Sequence, residues 1–189
     1  MESALIVSST DKSAAFFSEI LCETNIKQIS VLNSAGEARR RLLEYDFDLV
    51  IIDAPLPDES GESFSRHIAS KSLSQVILAV NGEYFNAVAA VCEEDGVLII
   101  SKPIDRDVFW SSLSLAKAAS SKIKRIQAEN IKLKQKIEDI RIIDRAKLLL
   151  ISYLNLSEQE AHRFIEKQAM DLRSSKRMIA EGILKTYAS

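Results

Sequence analysis

The chain is poor in the residues that most catalytic and secreted designs depend on. Its 189 residues include five glycines, three prolines, two cysteines, two histidines and one tryptophan. So few glycines leave no Gly-rich phosphate loop, and no nucleophile–base pair or metal cluster is visible, which argues against an autonomous enzyme. Cys22 and Cys92 fit no close-spaced metal or redox pattern, so a reduced chain with both thiols in the core is expected. His67 and His162 have no second His or Cys near them and read as surface helix residues rather than ligands. No apolar run approaches the roughly 18 residues of a membrane span. Met1-Glu2-Ser3 ahead of Ala4-Leu5-Ile6-Val7 lacks the basic flank of a signal peptide. A cytoplasmic protein with no membrane partner is the expectation.

What is present is a division of charge. The net charge is only −2, yet residues 1–120 carry 10 Lys and Arg against 18 Asp and Glu, whereas residues 121–189 carry 15 against 9. An acidic body with a basic tail fits a regulatory domain joined to a module for an anionic partner, of which nucleic acid is the usual one. A solvated helical surface gives the same composition.

The acidic body alternates between two periods. Short β-rich runs at Ala4 to Val7, Gln28 to Leu32, Leu49 to Ile52, Val76 to Val80 and Val97 to Ile100 alternate with helical spacing at Ser13 to Leu21, Ser34 to Tyr45, Ser60 to Ser70 and Asn86 to Glu93, and then from Asp105 or Arg106 to about Ala119. Five strands interleaved with helices predict an α/β fold with a five-stranded parallel, doubly wound sheet. The third run ends in Asp53, followed by a Pro-rich loop closed by Gly61. Ligand crevices in open α/β sheets lie beyond the carboxyl ends of the strands, so Asp53 is a candidate reactive group. The plainer alternative is that it only starts a turn.

Asp53 with Leu56-Pro57 and Gly61, and Lys102-Pro103 after the fifth strand, resemble the receiver domain of a bacterial response regulator over residues 1 to about 120. The resemblance implies a flavodoxin-like fold, Asp53 as the phosphoacceptor position, Lys102 as the cationic partner of the phosphate, a cis turn at Pro103 and a sensor histidine kinase as a possible partner. The chain departs from that pattern at four places. Ser8 and Ser9 replace the usual acidic pair that helps to hold Mg²⁺, Val80 replaces a hydroxyl residue, and Ile99 replaces an aromatic one. Hydroxyls are poor substitutes for the carboxylates a hard dication prefers, and Asp11 reads as a helix cap rather than a replacement ligand. The expectation is a degenerate site that requires no cofactor and holds Mg²⁺ at most weakly.

From Ile123 the period becomes a heptad. Ile123, Asn130 and Ile137 fill one seam position, and Ile126, Leu133 and Ile140 the other, which predicts a coiled coil over residues 121–144 and a homodimer; one Asn among β-branched residues favours two parallel strands in register. The alternative is one amphipathic helix packed on the body. The apolar pattern runs on to Ile151 and stops near Tyr153 to Leu156. Ser157-Glu158-Gln159-Glu160 then forms a capping box that opens a helix from about Glu158 to Leu172, with Ala161, Phe164, Ile165, Ala169 and Leu172 at helical spacing. Ser174-Ser175 offer the cap of a third helix to about Lys185, with Ile179, Ile183 and Leu184 completing a small all-α core over residues 145–189.

Ala146-Lys147 with Leu150, Leu156 to Ala161, Ala169-Met170-Asp171 and Ala180-Glu181 resemble the ANTAR domain, an RNA-binding antitermination module; Leu148 stands where that motif has a small residue. The resemblance implies a dimer that presents two modules to paired RNA hairpins in nascent transcripts. Specific RNA recognition targets splayed loop bases while cations hold phosphates. Candidate contacts are Lys147, Arg163, Lys167, Arg173, Lys176 and Arg177, with Ser174 and Ser175 at a helix start. Met170 and Phe164 are expected in the core. With Trp110 placed in the body, aromatic stacking in the tail is left to Phe164, Tyr153 or Tyr187. The expectation is a response regulator acting as an RNA-binding antiterminator. A DNA-binding regulator using a helix-turn-helix-like tail, or a protein-interaction adaptor, are the alternatives.

Overall fold

The computed structural model describes residues 1–187. Two residues of the 145–189 segment, 188 and 189, lie outside them. The chain divides into two compact units, Met1–Arg125 and Ile126–Ser189.

In the first unit, strands β1 (Ser3–Ser8), β2 (Gln28–Leu32), β3 (Leu49–Asp53), β4 (Gln75–Asn81) and β5 (Leu98–Lys102) form one parallel sheet in the order β2-β1-β3-β4-β5. They alternate with helices α1 (Asp11–Cys22), α2 (Ala35–Glu44), α3 (Glu62–Lys71), α4 (Phe85–Cys92) and the start of α5 (Arg106–Leu154). All five residues of β3 are buried, as the central strand of a sheet covered on both faces must be. Period two splits the apolar residues between the faces. Leu5, Val7, Val50, Ile52 and Leu78 pack with Phe64, Ile68 and Cys92. Ala4, Ile6, Leu49, Ile51 and Ile77 face Phe17 of α1 and Phe109 and Leu113 of α5. The Phe17 and Phe109 rings lie 5.1 Å apart and tilted, a favourable aromatic arrangement.

Several expectations are corrected. The helix after β1 begins at Asp11, with Thr10 as its N-cap residue and no side-chain cap bond, so Asp11 lies inside the first turn instead of capping it. Its Cys22 is exposed, because the apolar stripe of α1 runs through Ala14, Phe17, Ile20 and Leu21 and leaves the next position facing water. The fifth helix does not end near Ala119 but continues unbroken for 49 residues to Leu154, since no Gly or Pro interrupts Arg106–Leu154. Residues 121–144 lie in the middle of this helix, which runs on into the tail as the uninterrupted apolar pattern to Ile151 implied.

In the second unit, the end of α5 packs with α6 (Glu158–Asp171) and α7 (Lys176–Tyr187). Ala146, Leu150, Ala161, Ile165, Ala180 and Ile183 form its core. The capping box at Ser157 is complete: its Oγ accepts from the Glu160 amide while the Glu160 carboxylate accepts from the Ser157 amide. Small Ala residues at the crossings let the three helices approach. Leu148 is exposed and is not part of this core. Phe164 and Leu172 are exposed, and Met170 is 77% exposed, so none of the three is core. Their helical spacing continues the apolar pattern, but α6 buries only Ala161, Ile165 and Ala169, a stripe too narrow to include them. Among the described residues, no helix is long and apolar enough to cross a membrane.

Candidate phosphoacceptor pocket and nucleic-acid interface

Parallel pairing sets Ser8 opposite Asp53 at the adjacent carboxyl ends of β1 and β3, and Asn81 opposite Lys102 at those of β4 and β5. This register brings three residues from distant parts of the chain together. Asp53 is 3% exposed and Ser8 1%. The Ser8 hydroxyl lies 2.8 Å from Asp53 Oδ2, to which it donates. The other carboxylate oxygen is ion-paired with Lys102 Nζ and has no further hydrogen-bond partner. Lys102 also donates to the Ala54 carbonyl at 2.5 Å, tying β5 to the loop that follows the aspartate. The Lys102–Pro103 bond is cis, and so is Ala54–Pro55, which sequence reading did not anticipate.

A cavity of about 380 Å³ opens over this group, lined by Lys12, Ser13, Phe16, Phe17, Asp53, Lys102, Pro103 and Ile104. The oxygen donors from the end of β1 are hydroxyls: Ser8, engaged with Asp53, and Ser9, which is exposed. Asp11 is also exposed, in the first turn of α1. Val80 is buried and apolar.

One structural acid in this loop escaped the sequence reading. Asp58 accepts from the Gly36 and Ala35 amides at the start of α2, at 2.8 and 3.0 Å, and these bonds hold its carboxyl below the usual range. Its partners lie more than 20 residues upstream, so no local pattern marks it. Asp48 is similar. Burial pushes its carboxyl up, but the Lys124 ammonium and the Glu2 and Ser3 amides outweigh that and leave it lowered.

In the second unit, the predicted cations fall into two groups. Lys147 pairs with Asp144 and Glu158, Lys176 with Glu166, and Arg177 with both Asp139 of α5 and Glu181. Arg163, Lys167 and Arg173 are exposed and, among the described residues, have no acidic partner within 4.0 Å. Arg163, Lys167 and Met170 stand at i, i+4 and i+7 and therefore share one face of α6, leading to the turn at Arg173.

That turn ends α6 in a Schellman motif. The Ser174 amide bonds to the Ala169 carbonyl at 2.9 Å and the Arg173 amide to the Met170 carbonyl at 3.2 Å. Arg173 occupies the left-handed position with φ 48°, where glycine is the usual residue. A side chain there costs about 1 kcal/mol in backbone strain. Ser175 caps α7 by accepting from the Met178 amide. Ser174 and Ser175, with Glu166, Ala169, Met170 and Lys176, line a shallow recess at the turn. Phe164 is exposed beside this face, and Tyr153 and Tyr187 lie against each other with ring centroids 5.3 Å apart. His162 sits on the surface of α6, 3.2 Å from Glu166.

The heptad residues are also solvent-facing within the chain. Ile126, Leu133, Ile137 and Ile140 are each more than half exposed, Ile123 is 38% exposed, and Asn130 lies among them.

Comparison with known proteins agrees with both halves. Residues 4–114 match the response regulator receiver domain family and residues 132–184 the ANTAR domain family. The transcriptional regulatory protein PdtaR of Mycobacterium tuberculosis is 24% identical over 171 residues, spanning 90% of this chain and 83% of that protein. Among solved structures, the signal receiver domain of an HD domain-containing protein from Pseudomonas fluorescens superposes with a TM-score of 0.57 at 23% identity, covering 66% of this chain and 93% of that one. A CheY-like receiver domain from Methanospirillum hungatei gives 0.54 at 18%, covering 65% and 98%. These likenesses establish the sheet topology. The match over residues 4–114 spans more than half of the sequence and, joined to the tail's own match, makes the chain a member of the response regulators, with an N-terminal receiver domain and a C-terminal ANTAR domain.

Proposed function

We propose that this response regulator is a non-enzymatic, cytoplasmic antiterminator whose tail binds RNA hairpins in nascent transcripts, and that its receiver is degenerate. The observation that carries the RNA reading is Arg173. An arginine is held in a left-handed turn where glycine would be cheaper, next to an exposed stripe of Arg163 and Lys167 whose charges are not consumed by neighbouring acids. Strain retained at an exposed cation is a mark of function. Lys147, Lys176 and Arg177 are engaged in ion pairs within the tail, so their part in binding is secondary to holding the helices.

The degenerate reading rests on the donor set around Asp53. Mg²⁺ demands near-octahedral oxygen ligation, usually through carboxylates, and phosphoryl transfer needs the ion to offset developing charge. Here one carboxylate is present, its oxygens taken by Ser8 and Lys102. Those residues do not fit the ion, and any input from a sensor histidine kinase does not pass through ordinary Mg²⁺-dependent phosphorylation. The exposed isoleucine and leucine seam of α5 supports a homodimer through a coiled coil, since such a stripe is stable in water only when partnered.

Binding of a hairpin RNA at fixed salt, with duplex DNA as competitor, tests the proposal. Arg173→Gly relieves the turn and preserves stability, yet lowers RNA affinity roughly tenfold and flattens the salt dependence by about one phosphate contact. Unchanged affinity in Arg173→Gly and in Lys167→Ala, or duplex DNA competing better than the hairpin, refutes it.

A further inference from the structure

A second cavity in the receiver has the character of a small-molecule site. It is an open cleft of about 500 Å³ between the loop after Asp53, the end of β4 and helix α4. That volume lies in the range of ligand pockets, which are mostly apolar with a few placed polar groups. Its walls are Ala54 and Pro55 from the loop, Leu78 and Val80 from β4, and Ala87, Val88 and Val91 from α4. Ser60, Asn81 and Tyr84 supply the neutral polar atoms.

Charge narrows what can enter. Glu62, in the first turn of α3, is the one ionised residue in the lining, and among the described residues it has no ion-pair partner. No cation lines the cavity, and Arg66, one turn along α3 and within electrostatic reach of Glu62, is held by Asp95, so phosphates and carboxylates meet repulsion from Glu62. Apolar walls of this kind hold water poorly. Tyr84 and Val91 are 57% and 40% exposed, which leaves apolar surface in water at the cavity. A ligand that buries those side chains and brings a cation to Glu62 satisfies both features.

We propose that this cavity binds a small apolar amine, an aryl or alkyl group carrying one ammonium. The site is independent of the tail and of any phosphate chemistry. Ala54 directly follows Asp53 and accepts the Lys102 hydrogen bond through its carbonyl. Occupancy therefore bears on the same loop that ties Lys102 to the acceptor position, and gives the receiver an input that needs no metal.

The test uses the full-length chain with methyl-labelled Leu and Val, titrated with 2-phenylethylamine and with two probes of similar shape, 2-phenylethanol and 3-phenylpropionate. The amine is expected to produce saturable shifts at the methyls of Leu78, Val80, Val88 and Val91, and to bind about tenfold more tightly than the carboxylate, a difference of about 1.4 kcal/mol. Glu62→Gln abolishes the preference for the amine over the alcohol. Ala87→Phe, at an exposed wall position, fills the cavity and removes saturation; Val91→Lys, which sets a like charge against the ammonium, is a second variant with the same expected loss. Absence of saturable shifts at these methyls up to about 10 mM probe, where even millimolar affinity is detected, overturns the proposal. Equal binding of all three probes, or binding that survives both cavity variants, overturns it as well.

Discussion

Ser8→Ala removes the hydroxyl that donates to Asp53 and also bonds the Thr10 backbone, to its carbonyl at 3.1 Å and from its amide at 3.3 Å, and repeating it without Asp53 separates the two contributions. The hydroxyl and the carboxylate it serves are almost fully buried, at 1% and 3% exposure, and 2.8 Å apart, so solvent does not replace the lost donor. A hydrogen bond to a charged group is worth about 1.5–3 kcal/mol, and removing one partner leaves the other unsatisfied. Ser8→Ala is therefore expected to cost the receiver about 2 kcal/mol. Trp110, the chain's one tryptophan, lies on α5 within Met1–Arg125, so its fluorescence reports this unit. Unfolding in urea followed at Trp110 should show the midpoint falling by about 1 M at an unchanged slope. In an Asp53→Ala background the same substitution should cost less than about 0.5 kcal/mol, a coupling of roughly 1.5 kcal/mol between the two positions. A midpoint loss under about 0.3 M in the wild-type background, or equal losses in both backgrounds, refutes the claim that Ser8 holds the Asp53 carboxylate.

Four further outcomes are expected. Mg²⁺ at millimolar concentration should leave the urea midpoint of the wild type unchanged, whereas the Ser8→Asp, Ser9→Asp double variant should be destabilised by carboxylate crowding and recover stability with Mg²⁺. Asp48 and Asp58, whose ordinary value is 3.8, and Glu160 and Glu166, ordinarily 4.5, all have lowered carboxyls in the fold. Their contribution is present above those ordinary values and lost as pH falls through the lowered ones, so Trp110 fluorescence and helical ellipticity should both show stability declining from about pH 4.5 downward. A thiol reagent should modify Cys22 rapidly and Cys92 only on unfolding, because Cys92 is buried and burial pushes its thiol up; mass spectrometry of labelled peptides reads the order. Ile137→Glu on the exposed seam should convert a dimer to a monomer by light scattering while leaving the urea midpoint at Trp110 in place.

Much of the receiver was legible because its elements are set by local period. The β2 bounds Gln28–Leu32 coincide with the β-rich run read from the sequence, and the capping box at Ser157 stands where its four residues placed it. The position of Asp53 at a strand end followed from an apolar run closing on a carboxylate. The fate of individual side chains was not legible. Met170 and Phe164 sit at helical spacing yet face water, since the period tells which residues share a face and not how wide a strip the neighbouring helices cover. Cys22 was misplaced for the same reason.

By itself, the sequence determined the alternation of strands and helices, the heptad of α5, the acidic body and basic tail, and the families to which both halves belong. These are properties of residue type and spacing along the chain. Tertiary structure decided which charges are free. Arg177 is held by Asp139, 38 residues away, and Asp53 by Ser8, 45 residues away, and such pairings exist only after the folded register brings distant segments within hydrogen-bond reach. The folded backbone likewise decided that Arg173 is the residue held in the left-handed conformation, because the last turn of α6 satisfies its own carbonyls at that point before α7 begins.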